Sequence, residues 1–321
     1  MQMIRLGRTD VEVPAIGVGT WAHGGPKEDE GDEVGWSGHD DEKSRRALRA
    51  AYDAGLTHWD TADVYGDGHA EELIGGMWDE IPRDEIYLAS KVGWDKGGHD
   101  HWYHPDMMRR HMERTLRLLK TDTVDLYYLH HCDFGEDDRY LDDALELMHR
   151  FRDEGKFRHL GLSDWDNGAV ARLAPRVDPD VVQPLRNLWD DTYAASGLQS
   201  WVEDNDAGAC FFSPLKHGLL LGKYDAPQSF PEGDFRNGVE EFGDAAAIAL
   251  AQEAAAGARQ LFPNHPNPVL HAAVDTLLED CRGACALVGQ RNPQQVAAAA
   301  TLGDPPSADD AAAVRRLYHR G

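Results

Sequence analysis

Four residues able to do acid–base chemistry stand where short apolar runs end. Asp60 follows the apolar start of THWDTADVYG (57–66), and Tyr65 lies in the loop just after it. Lys91 comes near the end of EIYLASKV (85–92), and His130 near the end of VDLYYLHH (124–131). Brought together, they make an acid aimed at a carbonyl oxygen. A free tyrosine, with a pKa of about 10, is a poor proton donor at neutral pH. A nearby ammonium favours the phenolate and lowers that value, and a carboxylate keeps the ammonium charged and fixed. A neutral imidazole can hydrogen-bond the substrate oxygen and orient it. No metal or protein nucleophile is needed if a hydride arrives from a cofactor. Taken singly, each residue has a plainer reading: Asp60 caps a turn, Lys91 is a solvated strand end, His130 is a satisfied core histidine. Only the joint arrangement carries the chemistry.

The elements that must position them are regular. Apolar runs at VPAIGVGT (13–20), THWDTA (57–62), EIYLASKV (85–92), VDLYYLHH (124–131), FRHLGLSD (157–164), DVVQPLRN (180–187), GACFFSPL (208–215) and ACALVGQ (284–290) read as strands. Between them lie helical patterns such as EKSRRALRAAYDAG (42–55) and HPDMMRRHMERTLRLLK (104–120), the latter with Pro105 in its first turn. Nearly continuous apolar strands fit a parallel sheet covered on both faces. Eight strand–helix units are the number that closes a (β/α)8 TIM barrel, whose reactive residues sit at the C-terminal strand ends. One such domain is expected over 1–321. MIRLGRTDVEVPA (3–15) predicts a short hairpin plugging the barrel bottom, and the Gly- and Pro-rich stretch 216–243 predicts a long functional loop after the seventh strand. A doubly wound Rossmann fold would need a G-x-G-x-x-G turn after its first strand, and IGVGTWAHGG (16–25) lacks that spacing.

Composition excludes several partners. With 32 Lys+Arg against 57 Asp+Glu, the net charge is −25, which repels nucleic acid and anionic lipid. The acid is spread along the chain, the pattern of a solvated surface adapted to high salt. No apolar window approaches the length of a membrane span, the opening MQMIR has no signal core, and four cysteines fit a reduced cytoplasm. Cys281 and Cys285 read as core residues. HDHWYH (99–104) reads as a wall of the substrate pocket with Trp21, Trp94 and Trp102, or else as core packing, and not as a metal centre. His130 and the adjacent His131 face opposite sides on a strand, so only one can serve a pocket. KEDEGDE (27–33) reads as a solvated loop tip.

The motifs GVGTW (17–21), DTADVYG (60–66), ASK (89–91), DLYYLHHCD (125–133), GLSD (161–164), FSPLKHGLLLGKY (212–224) and GQRNPQQV (289–296) resemble, in order, those of the aldo-keto reductase superfamily. The resemblance runs from about Met3 to Leu302, and GWSGHDDEKS (35–44) with GDFR (233–236) is similar to its microbial, general-purpose branch. It implies a barrel that binds an extended nicotinamide cofactor across its C-terminal face and moves the pro-R hydride. The catalytic tetrad falls on Asp60, Tyr65, Lys91 and His130. Gly19, Thr20, Trp21 and Asp60 count with the cofactor site. The carboxamide partners fall on Ser163, Asp164 and Gln183, and the ring that stacks on nicotinamide falls on Phe212. Pyrophosphate contacts fall on Ser213, Pro214, Leu215 and the backbone through Gly218, with Lys223 and Arg236 closing over them. The adenosine end falls on Gly289, Arg291 and Gln295.

Three departures stand out. Asp164 replaces the usual Asn and cannot donate to the carboxamide oxygen. Ala298 and Ala299 stand where many members place Glu and Asn against adenine. No second basic residue adjoins Arg291 in the sequence, so a preference for the 2′-phosphate of NADP(H) over NAD(H) rests on Arg291, helped by Arg236. The resemblance implies an oxidoreductase acting on a small aldehyde, ketone or sugar. The alternatives are a sugar or alcohol dehydrogenase working oxidatively, a cofactor-binding regulatory subunit like the channel-associated members, and a metal-dependent barrel hydrolase.

Overall fold

The computed structural model describes residues 2–29, 31–281 and 283–320. Its strands are β1 (Met3–Arg5), β2 (Glu12–Pro14), β3 (Ile16–Gly19), β4 (Glu28–Asp29), β5 (Asp32–Glu33), β6 (His58–Asp60), β7 (Tyr87–Val92), β8 (Val124–Leu129), β9 (Phe157–Asp164), β10 (Val181–Pro184), β11 (Gly208–Phe211) and β12 (Ala284–Gly289). Strands β3 and β6 to β12 close into a parallel barrel in chain order, β12 pairing back onto β3. The fold class is the expected (β/α)8 barrel. The first apolar run divides: Glu12–Pro14 joins the hairpin and Ile16–Gly19 enters the barrel.

The hairpin pairs β1 and β2 from Met3↔Pro14 to Arg5↔Glu12. Leu6 and Val13, both fully buried, pack against Ala89, Leu126 and Cys210 inside the barrel, so the hairpin does plug one end. Gly7 has φ +51°, and a Cβ there would lie 2.2 Å from the Gly208 nitrogen; only glycine seats the hairpin on β11.

Among the described residues ten helices wrap the sheet: α1 (Asp41–Asp53), α2 (His69–Gly75), α3 (Pro105–Leu118), α4 (Leu141–Asp153), α5 (Asn167–Val177), α6 (Leu198–Asp204), α7 (Ala245–Leu261), α8 (Pro268–Glu279), α9 (Pro293–Ala299) and α10 (Ala308–Leu317). Helix α1 starts where the Asp40 side chain accepts from the Lys43 N–H (2.9 Å), and α3 starts at Pro105, where a missing N–H costs nothing. Alternation along each strand sorts the two cores. On β6, Trp59 faces out and stacks on Trp78 (6.0 Å), while Asp60 faces the lysine of β7 across the interior. Among the described residues no helix is long and apolar enough to cross a membrane.

The long loop after β11 holds only short 3-10 turns, at Lys216–Leu221, Phe235–Gly238 and Glu240–Phe242. It is clasped to the loop after β3. The Phe235 N–H donates to the Gly35 carbonyl (2.9 Å), and Asp234 Oδ2 accepts from the Ser37 N–H (2.9 Å) and hydroxyl (2.5 Å). The acidic run at 27–33 is solvated, as expected, with Glu28, Asp29 and Asp32 exposed, but it is also anchored. Its flanks pair as β4 and β5, Glu33 Oε1 accepts from the Gly233 N–H (2.8 Å), and its acids rim the cleft described below; Glu30 lies outside the described residues.

Candidate active site

Asp60 ends β6, Lys91 lies one residue from the end of β7, and His130 follows β8 directly. Neighbouring parallel strands in register bring those ends to one side of the barrel, and the loop after β6 folds Tyr65 back over them. Lys91 is fully buried, and its ammonium donates to Asp60 Oδ1 (2.5 Å), the Thr61 carbonyl (2.7 Å) and the Tyr65 hydroxyl (3.2 Å). The other Asp60 oxygen accepts from Gln183 Nε2 at 2.8 Å. The Tyr65 ring lies 5.9 Å from the His130 ring and 6.0 Å from that of Trp21.

The electrostatics follow from burial and the lysine. Burial alone would pull the Lys91 ammonium down, but Asp60 and then Tyr65 outweigh it, and its pKa ends above 10.5. Burial pushes the Asp60 carboxyl up, with Lys91 and its hydrogen bonds opposing. Lys91 was expected to bring the Tyr65 phenol below its ordinary value. Instead burial pushes the phenol up, and the lysine offsets this only in part. Tyr65 is thus held in the protonated, donor form at neutral pH, while the lysine favours the phenolate left after proton loss. Burial, and then the charge of Lys91, push the His130 imidazole well below 6.5 and so keep it neutral.

Above these residues runs a cleft of about 940 Å³ across the C-terminal strand ends, near the top of the ~300–1,000 Å³ typical of small-molecule sites. Tyr65 and His130 line it. So does each residue expected at the cofactor site, from Gly19, Thr20 and Trp21 through Asp60, Ser163, Asp164, Gln183 and Phe212 to Gly289, Arg291 and Gln295, with Ser213, Pro214, Leu215, Gly218, Lys223 and Arg236 along the loop side. Several are already engaged. Ser163 Oγ donates to the Gln183 carbonyl (2.9 Å), and Asp164 accepts from the N–H groups of Cys132 (2.6 Å) and Asp166 (2.8 Å). Phe212 meets Trp165 edge-on at 4.7 Å.

The cleft suits a dinucleotide on its own terms. The Ser213 hydroxyl is buried without a partner, and Ser213 takes φ +55°, a bend that turns the loop along the cleft. A Cβ on Gly289 would meet nothing within 4 Å, leaving open room beside Arg291. Arg236 is neutralised by Asp234 (2.7 Å) and packs on Phe230 (3.9 Å) and Trp36 (4.7 Å). Arg291 differs: burial and then the charge of Arg236 lower its pKa, and the more distant Asp234, already paired with Arg236, offsets this only in part.

Three further outcomes differ from the sequence reading. First, Arg291 does have basic neighbours: it borders a second, smaller pocket that Lys43 and Arg46 of α1 also line. Their three-residue spacing puts both on one helix face, but nothing in the sequence shows that α1 lies beside α9. Second, Trp21 and Trp94 line the cleft, whereas His99, His101, Trp102 and His104 do not. His101 stacks on Tyr140 (4.4 Å), and Trp102 donates to the Asp133 carbonyl (3.1 Å), bracing the loop. Third, Trp36, Trp165, His217 and Phe235 line the cleft without having been assigned to it. Burial and the nearby Lys216 take the His217 pKa down to about 4. The reading of the cysteines holds: Cys281 and Cys285, like Cys132 and Cys210, are free and buried.

Comparison with known proteins gives a consistent picture. The family model described as Aldo/keto reductase family matches residues 15–318. An aldo-keto reductase of Bacillus subtilis (YhdN) is 30% identical over 305 residues, covering 93% of this chain and 87% of its own. The solved glycerol dehydrogenase AKR11B4 from Gluconobacter oxydans superposes with a TM-score of 0.80 at 26% identity, covering 98% of this chain and 94% of its own. An aldo/keto reductase from Klebsiella pneumoniae, solved with NADP and acetate, superposes at 0.69 with 26% identity, covering 98% of this chain and 95% of its own.

Proposed function

The chain belongs to the aldo/keto reductase family, and from that premise we propose that it is an NADP(H)-dependent oxidoreductase interconverting a small aldehyde, ketone or sugar with its alcohol. A nicotinamide cofactor held in the cleft would supply the hydride for the carbonyl carbon, or accept one in the reverse sense. The Tyr65 hydroxyl donates the proton to the carbonyl oxygen, and the Lys91 ammonium, 3.2 Å away, stabilises the phenolate that remains. Asp60 keeps Lys91 charged and in place. His130, neutral, orients the substrate oxygen with a hydrogen bond rather than a charge. The same groups serve both directions, since stabilising one transition state lowers both barriers.

Ser163, Asp164 and Gln183 would hold the carboxamide end, Phe212 the ring, and Ser213 to Gly218 with Lys223 the pyrophosphate. Lys43, Arg46 and Arg291 would take the 2′-phosphate, and this basic group is what favours NADP(H) over NAD(H). The NADP bound in the Klebsiella relative supports the same choice.

The observation that carries the reading is the Asp60–Lys91–Tyr65 chain of contacts, 2.5 and 3.2 Å long. The test is Tyr65→Phe in steady-state assays of both cofactors against aldehydes, ketones, sugars and alcohols. Turnover should fall by roughly 10²–10⁴-fold, the usual share of general acid catalysis, with cofactor affinity by fluorescence quenching unchanged. Near wild-type turnover in the variant would refute the role of Tyr65. Cofactor binding by the wild type without turnover on any of these substrates would instead favour the regulatory-subunit reading.

A further inference from the structure

Two clusters of metal-competent side chains exist among the described residues. His58, Cys210 and Cys285 are sealed inside the barrel without exposure, and the imidazole Nδ1 already lies 3.4 Å from the Cys285 sulfur. An ion has no visible path to them. His39, Asp41 and His69 are different. Their donor atoms lie within 4.8 Å of one another at the surface, with His39 exposed and the other two half-buried.

Each of the three is held in place for its own reason. Asp41 and His69 are the first residues of α1 and α2, and His69 Nε2 lies 2.9 Å from Asp41 Oδ1. Asp40, not Asp41, caps α1, which leaves the Asp41 carboxylate outside the cap. The His39 ring stands nearly perpendicular to that of His69, centroids 6.2 Å apart. It rests against Gly25, where a Cβ would come within 3.0 Å of the ring. Tetrahedral ligation at about 2.1 Å places donors roughly 3.4 Å apart. The Asp41–His69 pair, at 2.9 Å, is slightly tighter than that, so an ion would part the pair by a few tenths of an ångström and draw the exposed His39 ring inward. The N-termini of α1 and α2 disfavour a cation there. Asp40, Asp41 and Glu42, crowded at the start of α1, supply the opposing charge.

We propose that His39, Asp41 and His69 form a surface site for one divalent transition-metal ion of the zinc type. Two imidazoles and one carboxylate suit Zn²⁺, Ni²⁺ or Co²⁺ and not Mg²⁺ or Ca²⁺, which take oxygen donors. A fourth position faces solvent. The ion would staple the segment entering α1 to the start of α2. Those segments follow the loops that carry Trp36 and Tyr65, so occupancy restrains the two walls of the cleft against each other. This proposal stands on the cluster itself and does not depend on the reaction catalysed.

The test uses untagged, EDTA-stripped protein titrated with Zn²⁺ by calorimetry and with Co²⁺ by visible absorption, alongside His39→Ala, His69→Ala and Asp41→Asn. One equivalent should bind the wild type, and Zn²⁺ should raise its melting temperature. Each variant should lose at least the roughly 10–100-fold in affinity that even outer-shell partners command. The variants should match the wild type in metal-free melting temperature and turnover, which excludes misfolding as the cause. Absence of one-equivalent binding in the wild type, or unchanged binding in the His39→Ala/His69→Ala double variant, would overturn the proposal.

Discussion

Arg291 shows how a single side chain takes its meaning from its surroundings. Arginines elsewhere in the interior are matched: Arg186 by Asp191 and Asp280, Arg236 by Asp234. Arg291 donates to the Ser37 carbonyl (3.0 Å) and lies near another cation, so a phosphate arriving there completes its pairing. Charge-assisted hydrogen bonds contribute about 1.5–3 kcal/mol each. Arg291→Ala should therefore raise the KM for NADP(H) by roughly tenfold or more on that basis, and Lys43→Ala/Arg46→Ala by a smaller factor. The KM for NAD(H) should hardly move. Parallel kinetics with the two cofactors check this, and equal losses for both would remove these residues from the 2′-phosphate site.

At the scale of elements, the loop joining β6 to α2 carries Tyr65 and is anchored from three sides. The Thr61 carbonyl accepts from Lys91, Asp63 Oδ2 lies 2.5 Å from His111 Nδ1 of α3, and Ser90 of β7 donates to Glu71 Oε1 of α2 (2.7 Å). Burial, then the charge of Asp63, push the Glu71 carboxyl from 4.5 up to about 7. A folded-state value above the unfolded one means stability that is fully present below about pH 4.5 and lost as pH rises through about 7. The His111 pKa is also raised, by Asp63 against burial, so its contribution fades in the same direction above its unfolded value. Glu71→Gln keeps the neutral shape at all pH values. Between pH 5 and 8 the wild type should lose up to roughly 3 kcal/mol more than Glu71→Gln does. Urea unfolding of both proteins at the two pH values measures it, and identical pH slopes would show that Glu71 does not titrate as described.

Over the whole molecule, an excess of 25 negative charges sets the response to salt. Exposed ion pairs contribute only about 0–1 kcal/mol each, so their screening loses little. Self-repulsion of the net charge is relieved when the Debye length shrinks from about 30 Å at 0.01 M to about 3 Å at 1 M. The melting temperature should rise over that range of KCl. Scanning fluorimetry tests it, and a flat or falling trend would mean that local pairing outweighs the net charge.

The amino-acid order alone determined the barrel and the meeting of Asp60, Tyr65, Lys91 and His130 at one end of it. Eight apolar runs at regular spacing leave one economical closure, and strand ends are where such a closure gathers polar residues. It determined the motif-borne part of the cleft for the same reason, since motif residues at strand ends share one rim, but not the aromatic wall of Trp36, Trp165 and Phe235. Whatever depended on distance between segments far apart in the chain needed the folded molecule. The meeting of Lys43 and Arg46 with Arg291 is one such case, and the clasp of Asp234 on Ser37 is another. The balance at Tyr65 belongs there too. Composition identifies the lysine that favours the phenolate, but only packing sets how much water the phenol loses, and here that loss is the larger effect.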